Sequence, residues 1–159
     1  MALGALLSWT LLHAPVAFAG VDRIVVEKST RKLVLIENDA VIRSYTVALG
    51  ANPVGHKQQE GDERTPEGRY VIDYRNLGSS FYRSLHISYP NKSDRQRAAE
   101  LGVDPGGDIM IHGLPTDWGW LGSVHYALDW TNGCIAVTNW EMDEIWSLVE
   151  DGTPIEIMP

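Results

Sequence analysis

Short runs of aliphatic and β-branched residues, each bounded by turn residues, recur along most of the chain. Runs of this kind are typical of β-strands, and the short polar links between the first three predict a meander. One long irregular stretch, residues 51–67, interrupts the runs, and long loops of this kind are often functional. We predict strands at 22–27, 32–37, 40–49, 69–74, 85–89, 108–112, 134–137 and 153–158.

Two segments carry helix signals instead. A short polar segment, residues 94–101, follows Ser93 as a candidate N-cap and stops at Gly102. The second segment begins with a capping-box pattern, Thr138 to Glu141. Its apolar residues recur at helical spacing: Met142, Ile145, Trp146 and Val149. The expected fold is therefore mainly β with two short helices, and residues 113–132 are expected to form a loop or lid rich in Trp and Tyr.

The N-terminal segment, residues 1–19, contains no charged side chain. Its short apolar run ends in Ala17-Phe18-Ala19, an A-x-A pattern typical of a secretory signal peptide. A positive n-region is absent, which leaves open whether the start codon lies upstream, and a buried N-terminal helix is the alternative to a signal peptide. We expect a signal peptide at 1–19 and one domain at 20–159, exported to the periplasm or cell wall, with no membrane span after leader removal.

The charge pattern bears on possible partners. The formal net charge is −8 at pH 7, and all of it falls outside the uncharged N-terminal segment. A strongly acidic domain is a poor candidate for binding nucleic acid or anionic lipid. No nucleic-acid partner is therefore expected.

Cys134 is the only cysteine of the chain. In an exported protein it enters an oxidising compartment without an internal disulfide partner. One interpretation is a small buried residue that is chemically inert. The other is a reactive thiol, and the residues around it distinguish the two.

A polar turn containing Asn132 and Gly133 leads into Cys134, and an earlier apolar run ends at His112. If the two strands are neighbours, an imidazole can take the thiol proton, stabilise a thiolate as an ion pair and later protonate a leaving amine. Backbone N–H groups of Gly133 and Cys134, with the Asn132 side chain, are candidate oxyanion donors. A satisfied core histidine is the alternative for His112 taken alone.

Other candidate site residues are less specific. The remaining histidines outside the N-terminal segment, His56, His86 and His125, show no metal-ligand spacing with Cys134, so no metal is expected. The aromatic residues of 113–132 are more typical of core or loop packing, and a lid over the site is the functional alternative.

Two motifs of the chain are specific in combination. The first is Ile111-His112-Gly113, followed after a loop by Thr131-Asn132-Gly133-Cys134-Ile135, and the second is Thr65-Pro66-Glu67-Gly68-Arg69-Tyr70-Val71-Ile72. They resemble the His-Gly and Gly-Cys signature and the Thr-Pro-x-Gly-x-Tyr-x-Ile segment of the L,D-transpeptidase catalytic domain (YkuD-like) family. Two further segments resemble its small single-domain periplasmic branch: Leu85-His86-Ile87-Ser88-Tyr89-Pro90-Asn91 and Pro105-Gly106-Gly107-Asp108-Ile109-Met110-Ile111-His112-Gly113. The likeness extends over roughly 21–158, and such a combination of motifs is specific.

The resemblance implies a sandwich-like β fold and an acyl-enzyme mechanism without metal or organic cofactor. Cys134 would attack the carbonyl between the third residue of a peptidoglycan stem peptide and its terminal D-Ala, and His112 would protonate the leaving amine. An amine-bearing acceptor peptide or protein would then resolve the thioester. The Gly113 carbonyl is implied as the group that orients His112.

Two positions depart from the family pattern and leave alternatives open. Asn132 stands where many members have His, and Ala136 where many have an Arg expected to bind a substrate carboxylate. Arg64, Arg69 and Arg83 are candidates to replace that Arg. Hydrolysis at the same kind of site, as a carboxypeptidase or on a protein–peptidoglycan link, and a non-catalytic wall-binding β domain are the alternative functions.

Overall fold

The computed structural model describes residues 20–159, so the signal peptide predicted at 1–19 lies outside the described residues. The prediction of a mainly β fold is confirmed. Every predicted strand is present, with ends that differ by up to three residues. The strands are β1 Arg23–Glu27, β2 Lys32–Glu37, β3 Ala40–Thr46, β4 Gly68–Asn76, β5 Ser84–Ile87, β6 Met110–His112, β7 Ile135–Ala136 and β8 Pro154–Met158.

The strands form one curled sheet in the order β3-β2-β1-β8-β4-β5-β6-β7. The predicted meander of β1, β2 and β3 is antiparallel, whereas β1 also pairs in parallel with the C-terminal β8. Alternate residues of β1 and β2 face the core, and Ile24, Val26, Leu33 and Leu35 are fully buried. Burying one face of the sheet specifies its register, because a slip by one residue would expose this apolar set.

The two ends of the sheet come together beyond β3. Ala48 and Ala136 exchange backbone hydrogen bonds of 3.0 and 2.9 Å, and Thr131 exchanges bonds with Leu49 and Ala51. The chain that follows β3 therefore pairs with β7 and with the turn before it. This closure holds the residues around Cys134 by backbone hydrogen bonds on both sides.

Two α-helices are present, α1 Lys92–Leu101 and α2 Asn139–Leu148. The prediction for α2 is confirmed, since Thr138 and Glu141 form a reciprocal capping box and Met142 and Ile145 are fully buried. The predicted cap of α1 is wrong. The Asn91 side chain, not that of Ser93, accepts hydrogen bonds from the first free amides of α1, and the Asp94 carboxylate accepts one from the Asn91 backbone N–H.

A third helical segment of 3-10 type covers Thr116–Ala127, so most of the loop or lid predicted at 113–132 is helical, and the prediction of only two helices is wrong. The segment breaks at Gly122, whose φ of 49° and ψ of −133° are not helical. It is tied to α2 by a hydrogen bond from the Tyr126 hydroxyl to Glu141. Contacts between aromatic rings rather than a periodic apolar face hold this segment, which explains why no helical period marks it.

The long irregular stretch at 51–67 is anchored by one buried cation. The Lys28 ammonium, 2% exposed, donates to the carbonyls of Gly55 (2.6 Å) and Thr65 (3.0 Å) and to the Glu67 carboxylate (2.8 Å). Burial lowers the pKa of Lys28, and the hydrogen bond and charge of Glu67 oppose that shift. Three acceptors on one ammonium hold both ends of the loop against the sheet.

Within residues 20–159 no helix is long and apolar enough to cross a bilayer.

Candidate active site

His112 and Cys134 lie on neighbouring parallel strands at one end of the sheet. The pairing of β6 with β7 sets Ile111 opposite Ile135 and His112 opposite Ala136. Cys134 precedes Ala136 by two residues, so its side chain leaves the same face of the sheet as that of His112. The sequence analysis predicted that His112 and Cys134 are close only if their strands are neighbours, and the pairing of β6 with β7 meets that condition.

Both side chains line one cavity of about 550 Å³. Its walls come from the 51–67 loop, from the turn before β6, from the segment before β5 and from the turn before β7. The lining includes Lys57, Glu60, Glu63, Phe81, Asp108, Ile109, His112, Trp130, Thr131, Asn132 and Cys134. A volume of this size is typical of a small-ligand site.

The tautomer of His112 follows from its hydrogen bond. Its Nδ1 lies 2.6 Å from the carbonyl oxygen of Gly113. A backbone carbonyl only accepts hydrogen bonds, so Nδ1 carries a proton and the neutral ring leaves Nε2 free as an acceptor. Gly113 is itself held by close packing, since a Cβ there would lie 2.7 Å from the Asn139 side-chain oxygen and 2.8 Å from the Tyr82 carbonyl.

Aromatic rings enclose His112. Phe81 stacks on the imidazole at 4.1 Å between ring centroids, and Trp130 meets its edge at 5.9 Å. The residue is 1% exposed. Burial lowers the His112 pKa to about 4, the bond to Gly113 opposes the shift, and the charge of His125 adds to it. The imidazole is therefore neutral, and able to accept a proton, throughout the range around pH 7.

The thiol of Cys134 is also held in its neutral form. Its Sγ lies 3.5 Å from the Asp108 carbonyl oxygen, to which it donates. Burial raises the pKa of Cys134, with a further increase from the charge of Asp108, while the Met110 amide and Lys57 act in the opposite direction. Together with the low His112 pKa, this favours a resting thiol beside a neutral imidazole rather than the ion pair expected from sequence.

This charge state predicts how thiol reactivity depends on pH. We expect the rate of Cys134 alkylation by iodoacetamide to rise continuously with pH and to keep rising past about 8.5, the ordinary thiol value. The sign follows from the raised pKa, because the thiolate fraction is small until the solution pH exceeds it. The measurement is intact mass against time from pH 5 to 10, with N-acetylcysteine as the reference thiol. A rate plateau between pH 5 and 7 would reveal a resting ion pair.

The turn before Cys134 is built by Thr131. The Gly133 N–H donates to the Thr131 hydroxyl oxygen at 3.1 Å, and that hydroxyl donates to the Cys134 carbonyl at 2.7 Å. The Gly133 N–H is thus occupied, which corrects its expected role as an oxyanion donor. Among residues 20–159, the Cys134 N–H makes no hydrogen bond, and the Asn132 side chain is exposed on the cavity wall.

The charged residues of the cavity differ from those considered in the sequence. None of Arg64, Arg69 and Arg83 is among the residues described as lining it. Arg69 pairs with Glu156 and Arg83 with Asp143. Lys57 is the cation of the wall, and its ammonium donates to the Gln59 carbonyl (3.1 Å) and the Asp62 carboxylate (2.9 Å). Ala136, where an Arg would be expected, is fully buried against the Ala48 backbone.

Sequence reasoning missed several cavity residues for different reasons. Lys57, Glu60 and Glu63 belong to the long loop, whose length and composition were the available signal. Phe81 sits in a stretch without any pattern, and no sequence signal identifies it. His56, His86 and His125 do not line the cavity, and no group of three or more metal-ligating side chains occurs within the described part of the chain.

A family model for the L,D-transpeptidase catalytic domain, YkuD, matches residues 21–157. The chain belongs to this family. Members of the L,D-transpeptidase family act on peptidoglycan peptides of the cell wall, and the family places His112, the Thr131–Cys134 turn and the cavity they share within a known catalytic domain.

Individual relatives agree with this assignment. The chain is 31% identical over 115 residues to YafK of Escherichia coli (strain K12), named as a candidate L,D-transpeptidase; the match covers 71% of the chain and 39% of YafK. Pgp2 of Campylobacter jejuni, a helical cell shape determining protein, aligns with a TM-score of 0.66 at 25% identity over 88% of the chain and 48% of Pgp2. Bd1075 of Bdellovibrio bacteriovorus gives 0.62 at 26%, over 90% and 50%. The chain therefore spans about half or less of these proteins.

Proposed function

We propose that the protein is a peptidoglycan L,D-transpeptidase in which Cys134 is the nucleophile and His112 the general base. The observation that carries the proposal is the shared cavity, which is lined by a thiol and by a neutral imidazole with a free Nε2 from neighbouring strands. The substrate is a peptidoglycan stem peptide. Export to the periplasm or cell wall, where that polymer lies, is part of the proposal.

In the acylation step, His112 Nε2 takes the thiol proton as Sγ bonds to the carbonyl carbon of the third stem residue. The carbonyl oxygen becomes an oxyanion, and the free Cys134 N–H and the Asn132 side chain are the available donors to it. The intermediate then collapses, the C–N bond to D-Ala breaks, and the imidazolium gives its proton to the leaving amine. A thioester on Cys134 remains.

In the transfer step, an acceptor amine attacks the thioester and His112 removes a proton from it. The Sγ–C bond breaks, and the thiolate recovers that proton from the imidazolium. The product carries a new amide bond in place of the bond to D-Ala. No oxidant, metal or organic cofactor enters this balance of atoms.

Hydrolysis is the second candidate, in which water replaces the amine. The observation that favours it is the charge of the cavity wall, whose lining includes three acidic residues, Glu60, Glu63 and Asp108, with Lys57, and no arginine among the described residues. An acceptor stem brings its own carboxylates, which these acidic side chains repel. Water carries no such charge.

The test incubates the purified protein with a disaccharide–tetrapeptide and a second D-amino acid, and reads both products and intact protein mass. Cys134→Ala is the matched control. We expect the wild-type protein alone to gain the mass of the disaccharide–tripeptide acyl group, bound to Cys134 as a thioester. We also expect exchange of the terminal D-Ala for the added amino acid. A carbapenem serves as an independent acylating probe of the same thiol.

Each outcome decides between the candidates. Exchange or a cross-linked dimer supports transfer, whereas release of D-Ala with only tripeptide formed supports hydrolysis. If the wild-type thiol remains unmodified and its products match those of Cys134→Ala, the enzyme proposal fails and the domain is a wall-binding module.

A further inference from the structure

A row of side chains crosses the solvent-facing surface of the sheet and ends at Cys134. Tyr74 on β4 pairs with His86 on β5, and His86 pairs with Met110 on β6. Met110 precedes the Ile111–Ile135 pair by one residue, as Cys134 does on the other strand. Residues paired in register leave the same face of a sheet. The row therefore runs Tyr74, His86, Met110, Cys134 across adjacent strands.

Tyr74 lies flat on His86 at the far end of this row. The two rings stack with 4.4 Å between centroids and 15° between planes. The His86 side chain is only 12% exposed although it faces solvent, whereas Tyr74 is 42% exposed. One face of the Tyr74 ring thus covers the imidazole and the other is open.

The stacked rings of Tyr74 and His86 are held in place by the Asp73 carboxylate. His86 Nδ1 lies 2.6 Å from the Asp73 carboxylate, which orients the imidazole under Tyr74. A ring fixed in this way presents a flat apolar face without an ordering cost on binding. The Asp73 carboxylate, 39% exposed, supplies a hydrogen-bond acceptor at the edge of that face.

The stacked pair of Tyr74 and His86 lies outside the cavity lining, and Met110 stands between it and Cys134 in the row. Asp108 lines the cavity, and its carbonyl accepts from the Cys134 thiol. The pKa of Tyr74 is raised by burial and then by the charges of Asp108 and Asp73, so the Tyr74 hydroxyl lies within the field of a cavity residue. A ligand bound at Cys134 reaches Tyr74 only if it extends from the cavity along the row.

We propose that Tyr74, backed by His86, is a saccharide subsite that binds the sugar ring at the head of the stem peptide whose acyl group Cys134 receives. A pyranose ring has an apolar C–H face suited to an aromatic ring and a rim of hydroxyls suited to the Asp73 and Asp108 carboxylates. The inference rests on the proposed peptidoglycan substrate and extends it to the glycan.

The reach of the substrate matches this assignment. Three strand-to-strand steps of about 4.8 Å separate β4 from β7, or about 14 Å. Three stem residues in extended form span about 10 Å. A sugar joined to the first of them therefore lies at the distance of Tyr74 when the third carbonyl is at Cys134.

The experiment compares two substrates, the disaccharide–tetrapeptide and the same tetrapeptide without sugar, on wild type, Tyr74→Ala and Tyr74→Phe. We expect wild type to show a KM about tenfold lower for the sugar-bearing substrate at similar kcat. Tyr74→Ala should raise that KM to the value for the free peptide and leave the free-peptide kinetics unchanged. Tyr74→Phe keeps the ring and should keep the preference.

A binding measurement separates this inference from the proposed function. Titration of the disaccharide alone into Cys134→Ala, with and without Tyr74→Ala, needs no turnover, and binding lost only in the double variant supports the subsite. Equal wild-type KM values for the two substrates, a KM increase on both substrates in Tyr74→Ala, or no disaccharide binding to Cys134→Ala overturns it. Absence of turnover in wild type with Tyr74-dependent disaccharide binding retained would instead overturn the proposed reaction and keep the subsite.

Discussion

Replacing His112 with glutamine is expected to lower kcat/KM for D-Ala release by about 10²–10⁴-fold, the usual contribution of a positioned general base. The Gln side chain can retain a bond to the Gly113 carbonyl but cannot accept the thiol proton. Because burial holds the Cys134 pKa high, little thiolate forms near pH 7 without that base. Single-turnover acylation followed by intact mass measures the step directly.

The pH dependence of the residual activity provides the control for this variant. With the base removed, acylation should increase with hydroxide concentration over the whole neutral range, whereas wild type should vary little there because the His112 pKa is about 4. His56→Gln removes an imidazole bonded to α1 rather than to the cavity and should lose less than tenfold. A His112→Gln variant within tenfold of wild type would contradict the assignment of His112 as the base.

Replacing Gly133 with alanine is expected to lower kcat/KM by about 100-fold or more and to reduce the free energy of unfolding. Gly133 has a φ of 124°, which strains any residue with a Cβ, at about 1–3 kcal/mol. The added Cβ would lie 2.7 Å from the Arg64 carbonyl oxygen and 3.1 Å from Ile109 Cδ1. The turn must move to relieve this contact, and it carries the Cys134 N–H and thiol with it. Displacement of about 1 Å at a reacting group is enough for such a loss.

Gly152→Ala is the matched control for Gly133→Ala. Gly152 also has a positive φ, 93°, but has open space around its Cα and lies in the turn between α2 and β8. Both variants should lose stability in urea unfolding, whereas only Gly133→Ala should lose activity and show slower Cys134 alkylation. Equal activity of the two variants would show that close packing around Gly133 does not position the thiol.

The local elements were predictable because short-range patterns determine them. Alternating apolar residues predicted the strands, and the reciprocal bonds of Thr138 and Glu141 that begin α2 follow from two residue types at fixed spacing. The Thr116–Ala127 segment was not predictable in this way. Its aromatic residues pack against Trp130 and α2, which lie later in the chain, and a period of 3.6 is therefore absent.

Some features of the candidate site could likewise be predicted from the sequence, whereas others depend on the tertiary structure. The types of its central residues, Cys134, His112 and the Gly133 turn, could be read from the motif, and so could the expectation that Gly113 orients the imidazole. The oxyanion donors were predicted less well, because the hydroxyl of Thr131 takes the Gly133 N–H, and only three-dimensional placement reveals that competition.

The sequence by itself determined the strands, the capping box of α2 and the family, and its motif is the basis for proposing Cys134 as nucleophile and His112 as base. The tertiary structure alone decided that β1 lies between β2 and β8, that the 51–67 loop forms a cavity wall, and that thiol and imidazole are both neutral at rest. The physical reason is the separation along the chain over which each interaction acts. Hydrogen-bonded turns and amphipathic periods act between near neighbours in the chain, whereas desolvation of His112 sums over groups such as Phe81 and Trp130 that only the completed sheet brings together.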